Sequence, residues 1–137
     1  MINSQTTPYA ALVLRLSLGV MFIAHALLKV LVFTPAGTAG YFESIGIPGA
    51  FAYVTIFAEL LGGISLIVGF ATRWVSIALI PVLAGTIVFV HGGSGWLFSN
   101  EGGGWEYPLF LIMASASLAL IGDGAYSFNP FNRKQKS

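Results

Sequence analysis

The chain has 137 residues, 56% of them hydrophobic and 8% charged, with a net charge of +1 and a mean hydropathy of +0.85. Soluble domains carry roughly 25% charged residues, so a water-soluble fold could not cover its surface with this set. The absence of cysteine excludes disulfides, thiol relays, iron–sulfur ligation and c-type haem attachment, and no basic stripe with interleaved aromatics points to nucleic acid.

Four apolar segments follow one another: Ala10–Phe33, Phe51–Phe70, Trp74–Val90 and Pro108–Ile121. A bilayer core of about 30 Å needs about 20 helical residues. The first two segments meet that length, the third is slightly short, and the fourth must borrow Trp105–Tyr107 or Gly122. The pattern predicts an all-α, antiparallel bundle of four transmembrane helices, over about residues 10–33, 51–70, 74–91 and 105–122, in a single domain. No Lys or Arg precedes the first segment, and it is too long for a signal-peptide core, so it is expected to stay in the mature protein.

The connection after the first segment, residues 34–49, has helix breakers at both ends and an apolar middle of Tyr41, Phe42, Ile45 and Ile47. It reads as a short interfacial helix or turn. The connection over residues 91–106 holds six glycines with Trp96 and Trp105, and reads either as a flexible loop anchored at the headgroups or as a lid. Arg73, Arg133, Lys134 and Lys136 lie on one side of the four spans, while residues 34–50 and 91–107 carry no Lys or Arg. The positive-inside rule then places both termini in the cytoplasm, with Glu43, Glu101 and Glu106 outside.

Charges inside apolar segments are the informative anomaly. Arg15, Gly19, Phe22, His25, Ala26 and Lys29 fall on one stripe of the first helix, which should face the bundle. A Lys or Arg at the bilayer centre costs roughly 2.5–3.5 kcal/mol; Arg15 and Lys29 lie near opposite ends and can snorkel. Glu59 is deep in the second segment and must be neutral, paired or wet, with His25 or Lys29 as partner. These three side chains are the candidates for proton exchange or hydrogen bonding at a small-molecule site; the alternative is a buried ion pair that only fixes helix order.

Ala58, Gly62, Gly63, Ser65 and Gly69 form a small-residue surface for close helix approach. Pro81 predicts a kink. His91 closes the third segment as a loop anchor or a ligand. Haem held by His25 and His91 is disfavoured, because His25 lies about two turns deeper. Nothing in the spacing of His91, Glu101 and Glu106 marks a metal site.

The order of motifs resembles the DoxX family of small membrane proteins. They are Arg15-Leu-x-Leu-Gly19 with Lys29; Glu59-x-x-Gly-Gly63-x-x-Leu66-x-x-Gly69-x-x-Thr72-Arg73; His91-Gly-x-x-Gly-Trp96; Gly-Gly-Trp105-Glu106-Tyr107-Pro108-Leu; and Gly122-x-Gly124-x-Tyr126-Ser127. Asp123 and Asn129 depart from the usual ending. The resemblance implies a four-helix bacterial inner-membrane protein tied to redox physiology, since the family takes its name from a subunit linked to a thiosulfate:quinone oxidoreductase. It transfers architecture better than reaction.

On that reading a quinone, or another small lipophilic molecule, lies against Phe22 and Phe57, with Arg15, His91 and Trp96 as further binding positions and with electrons supplied by a partner redox enzyme. The chain itself is at most a subunit of a quinone-linked oxidoreductase. Membrane lipids and a second copy of the chain complete the expected partners. The competing reading is a non-catalytic scaffold, assembly factor or small transporter; transport would need broken helices, hinted at only by Pro81 and Gly62-Gly63.

Overall fold

The computed structural model describes residues 3–130; Arg133, Lys134 and Lys136, which carry part of the charge asymmetry, lie outside the described residues. Among these there are five α-helices and no strand. Helix α1 (Thr7–Leu27) is extended by a π-helical turn, Leu28–Val32. A short α2 (Pro35–Ser44) follows in the first connection, where the breakers at its ends predict it. Helices α3 (Ala50–Val68) and α4 (Thr72–Thr86) come next, α4 being extended by a second π turn, Ile87–His91. Helix α5 spans Glu106–Ile121.

With their extensions, α1, α3 and α4 are long and apolar enough to cross a bilayer. Helix α5 has 16 residues, or about 24 Å at 1.5 Å per residue, which is the shortfall expected of the fourth segment. The chain is a membrane protein whose four long helices pack in the ring α1–α3–α4–α5. Helix α1 packs chiefly on α3 and α4 on α5, with thinner seams between the two pairs. Large apolar side chains such as Val20, Leu31, Trp74, Val88 and Phe110 stay on the outside, where acyl chains replace water.

The α1–α3 pair closes through glycine. A methyl group on Gly19 would lie 2.8 Å from the Gly63 carbonyl oxygen, and one on Gly63 would lie 2.8 Å from the Gly19 carbonyl oxygen. Small residues at a crossing let backbones touch, the packing that membrane helices rely on in place of a hydrophobic drive. Gly62 turns the other way, against Leu79 of α4. Helix α3 therefore runs unbroken through both glycines, and α4 through Pro81.

The end holding the α3–α4 turn is tied by Arg15. The last carbonyls of α3 have no helical partner. Arg15 Nη1 donates to Leu66 O at 3.2 Å and Ile67 O at 3.4 Å, and Phe128 N donates to Val68 O at 3.0 Å. Arg15 Nη2 donates to Ala125 O at 2.6 Å, pinning the segment after α5 across this end. Arg15 is 0% exposed. The snorkelling expected from its position is replaced by three carbonyls that accept from its two terminal nitrogens inside the protein, which a helix C-terminus favours electrostatically. Asp123 accepts from Thr72 N at 3.1 Å, capping the start of α4.

Candidate functional site

At the opposite end a space opens between α3 and α4. Helices α3 and α4 are joined by a three-residue turn, Gly69–Ala71, and meet where Gly62 touches Leu79. Beyond that contact they leave a cavity of about 1050 Å³, just above the usual range for small-molecule sites, about 300–1,000 Å³. Val54 and Thr55 line it from α3; Pro81, Val82, Gly85 and Thr86 from α4; and Tyr41 and Phe42 from α2, which covers it. Val54, Phe51 and Phe89 line the cavity yet are more than half exposed, so it opens sideways onto the surface that faces lipid.

Lys29 and His25 enter this mostly apolar space from α1, and His91 from the end of α4. Lys29 Nζ lies 2.7 Å from Glu59 Oε2 and 3.0 Å from Oε1, and 3.5 Å from the His25 carbonyl oxygen. The side chains are 17% and 5% exposed respectively. Of the two partners open to Glu59, it takes Lys29, so the ammonium reaches inward rather than out to the headgroups. A buried carboxylate held by both oxygens on one cation satisfies the cost of placing charge in hydrocarbon.

The π turn sets the position of that cation. Phe33 N donates to Leu28 O at 3.1 Å, skipping the Lys29 carbonyl that an α-helix would use. That carbonyl is met instead by the Thr38 hydroxyl at 3.2 Å, which also lies 2.8 Å from Thr34 O. Thr34 holds the start of α2 with a φ of +64°, its own hydroxyl accepting from Gly37 N at 3.1 Å. A β-branched residue at positive φ is strained, and here it turns the chain so that α2 folds back over the cavity.

Both histidines are oriented by main chain. His25 Nδ1 lies 2.8 Å from Met21 O, and its ring stacks on Tyr107 with centroids 6.4 Å apart. His91 Nδ1 lies 2.8 Å from Gly103 O and 3.2 Å from Gly102 O. A carbonyl oxygen can only accept, so in each ring Nδ1 carries a hydrogen, and Nε2 is left as the nitrogen free of main chain.

The other positions named from the sequence lie elsewhere. Phe22 is 3% exposed in the packed core, and Phe57 is 61% exposed on the lipid-facing surface; neither lines the cavity. Arg15 is at the far end. Trp96 packs edge-on against Trp105, with centroids 4.6 Å apart. Their loop is ordered by its own main-chain bonds, including Trp105 N to Gly95 O and Glu106 N to Trp96 O. Glu106 Oε1 accepts from Phe98 N at 2.7 Å. Only His91 at the edge of this connection reaches the cavity, so the cover is α2 and not the glycine-rich loop. Among the described residues no group of three or more His, Cys, Asp or Glu converges as for a metal ion.

Sequence reasoning missed Thr38, Thr55, Gly85 and Thr86, which line the cavity; a threonine in an apolar segment carries no signal by itself. It also missed both π turns, which frequently mark functional sites in helices. Thr72, Ser76 and Ser115 hydroxyls and Arg15 Nε are buried without a protein partner.

The DoxX family model matches residues 10–92. The chain is 34% identical to "Putative oxidoreductase CatD" of Bacillus subtilis, over 91% of this chain and 88% of that protein. It is 29% identical to "Inner membrane protein YqjF" of Escherichia coli, over 90% and 92%. An uncharacterized protein of Haemophilus influenzae is 32% identical over 93% and 94%. No solved structure matches the chain.

Proposed function

The chain belongs to the DoxX family of membrane proteins, and on that premise we propose that it is the lipid-embedded binding subunit of a redox system, taking a quinone-type ring into the cavity beneath α2. The observation that carries this reading is an apolar cavity, open to the bilayer, into which Lys29, His25 and His91 project from two helices. The oxidoreductase and inner-membrane names of the two relatives agree with it. On this reading the cavity faces the outside of an inner membrane and both termini face the cytoplasm.

The residues fit such a ring. Val54, Pro81, Val82 and Phe89 offer apolar contact to ring and tail, while a few polar side chains, His25 and Lys29 from α1 and its π turn, Thr38 and Tyr41 from α2, Thr55 from α3, and Thr86 and His91 from α4 and its π turn, are set among them, the mixture usual in small-molecule sites. A bound quinone supplies two-electron, two-proton redox chemistry that no side chain here provides. Glu59 holds Lys29 in place beside the cavity and balances its charge. His25 and His91 each leave Nε2 free of main chain, where a proton can be taken or returned. The chain has no cysteine, and among the described residues no group of three or more His, Cys, Asp or Glu converges as for a metal ion; on this reading the chain binds the ring and a partner protein delivers the electrons.

The test is organic extraction and mass spectrometry of the protein purified in mild detergent, beside Glu59→Gln. Near-stoichiometric quinone in the wild type, depleted in the variant, is expected. A quinone-free protein that also fails to take up added short-chain quinone would overturn the reading in favour of a scaffold.

A further inference from the structure

Resting on the reading of the cavity as a quinone-type site, we infer that its ligand is a ring carrying a long apolar tail, and that the tail runs out through the gap between α3 and α4 into the membrane leaflet on the α2 side. The position of the gap follows from helix register. Gly62 of α3 meets Leu79 of α4, and the short Gly69–Ala71 turn makes the two helices antiparallel neighbours. Val54 lies eight residues before Gly62, and Ile87 eight after Leu79, so both stand about 12 Å beyond that contact. Phe51 and Phe89 follow within another turn. Phe51, Val54 and Phe89 line the cavity and are 53%, 60% and 52% exposed, so these side chains form a mouth between the space and the acyl region.

All three mouth side chains are apolar. Gly85, one turn from Phe89, leaves the α4 edge bare, and a Cβ there would meet nothing within 4 Å. His25 and Lys29 enter the cavity from α1 and its π turn, and α1 packs on α3 and α5. A ring that meets them therefore lies inside the bundle, behind the mouth. The cavity, about 1050 Å³, has room for a drug-sized molecule, and a bare six-membered ring would leave much of it unfilled. An apolar tail suits the remaining space and the mouth because it needs no hydrogen-bond partner there. A second polar end at the same place would be left unsatisfied in hydrocarbon.

Lipid chains are as apolar as the mouth, so a tail gains little affinity by touching protein instead of lipid. The open mouth acts differently: it spares a long tail from folding into the cavity. Affinity referred to ligand in the lipid phase is then set by the ring and does not change with tail length. Ligand exchange runs within one leaflet, and α2 stays in place as the cover.

The test uses the full chain in nanodiscs and benzoquinones of one ring type, tailless or with tails of one to four isoprene units, each Kd being referred to the ligand concentration in the lipid. A diazirine on the second tail unit reports where the tail lies, through mass spectrometry of peptides whose labelling is removed by excess tailless quinone. The expected result is a set of Kd values within about threefold of one another across the tailed series, with displaceable labelling in residues 51–55, 82–90 or both. A larger change with tail length, a tailless ring that binds while the tailed ones do not, or displaceable labelling absent from both segments would overturn the inference while leaving the cavity a quinone site. No binding by any member of the series would overturn the cavity reading itself, and this inference with it.

Discussion

Lys29 and Glu59, thirty residues apart and on neighbouring helices, meet through both carboxylate oxygens at 3.0 and 2.7 Å inside the membrane-spanning region. Removing one partner leaves the other buried and unmatched, which costs about 3–5 kcal/mol, while replacing both by apolar or neutral groups of similar volume is close to neutral. Lys29→Met and Glu59→Gln should therefore each lower the melting temperature in detergent, Lys29→Met by more, since it strands a carboxylate. The double variant should recover most of the loss. A double variant that melts at the sum of the single losses would show that the two side chains do not act as a pair.

Arg15 gives a second, separable expectation. It binds three main-chain carbonyls from two segments, and hydrogen bonds from a charged donor are worth about 1.5–3 kcal/mol each. Arg15→Lys keeps the charge but loses the fork that reaches α3 and Ala125 together. It should cost about 2 kcal/mol, and Arg15→Met more, because the carbonyls then lack a donor. Protease sensitivity of the segment after α5 should rise in both. Since Arg15 lies at the end away from the cavity, Arg15→Lys should leave ligand affinity within about twofold, measured at a temperature where the variant is folded.

The Gly19–Gly63 crossing is the tightest constraint on the α1–α3 pair. A Cβ at Gly63 would lie 2.7 Å from the Ile23 side chain and 2.8 Å from the Gly19 carbonyl, and backbone cannot yield as a side-chain tip can. Gly63→Val should destabilise by at least about 3 kcal/mol, at or above the range for overpacking a core. Gly40, where an added methyl meets nothing within 4 Å, is the matched control: Gly40→Ala should be neutral or slightly stabilising. Thermal melts of the two variants side by side separate close packing from a general intolerance of glycine replacement.

Much of this architecture was legible in the sequence because membrane helices obey a simple solvent rule. The apolar runs gave the spans, the breakers around residues 35 and 48 gave α2, and the helical stripe from Arg15 to Lys29 gave the buried face of α1. Lys29 and Glu59 stood out because charge in hydrocarbon requires a partner. The cavity was not legible, for two physical reasons. It arises from the divergence of α3 and α4 above the Gly62–Leu79 contact, which no local pattern encodes. Its position also depends on π turns, where one skipped carbonyl turns the rest of the helix. Phe22 and Phe57 show the limit of composition: both are aromatic residues on spanning helices, yet one fills the core and the other faces lipid.

Gly85 offers the most direct test of the cavity as a ligand site. It lines the cavity from α4, and a Cβ built there meets nothing within 4 Å. The Cβ of a leucine there would meet open space at the cavity wall, and replacing a helical glycine gains about 0.5–1 kcal/mol of backbone preference. The measurement is the affinity of a short-chain quinone for wild type and Gly85→Leu, alongside their melting temperatures. The account predicts that Gly85→Leu melts at or above the wild-type temperature and loses binding by at least tenfold. Unchanged affinity in a fully folded Gly85→Leu would contradict it, placing the ligand, if any, outside the space between α3 and α4.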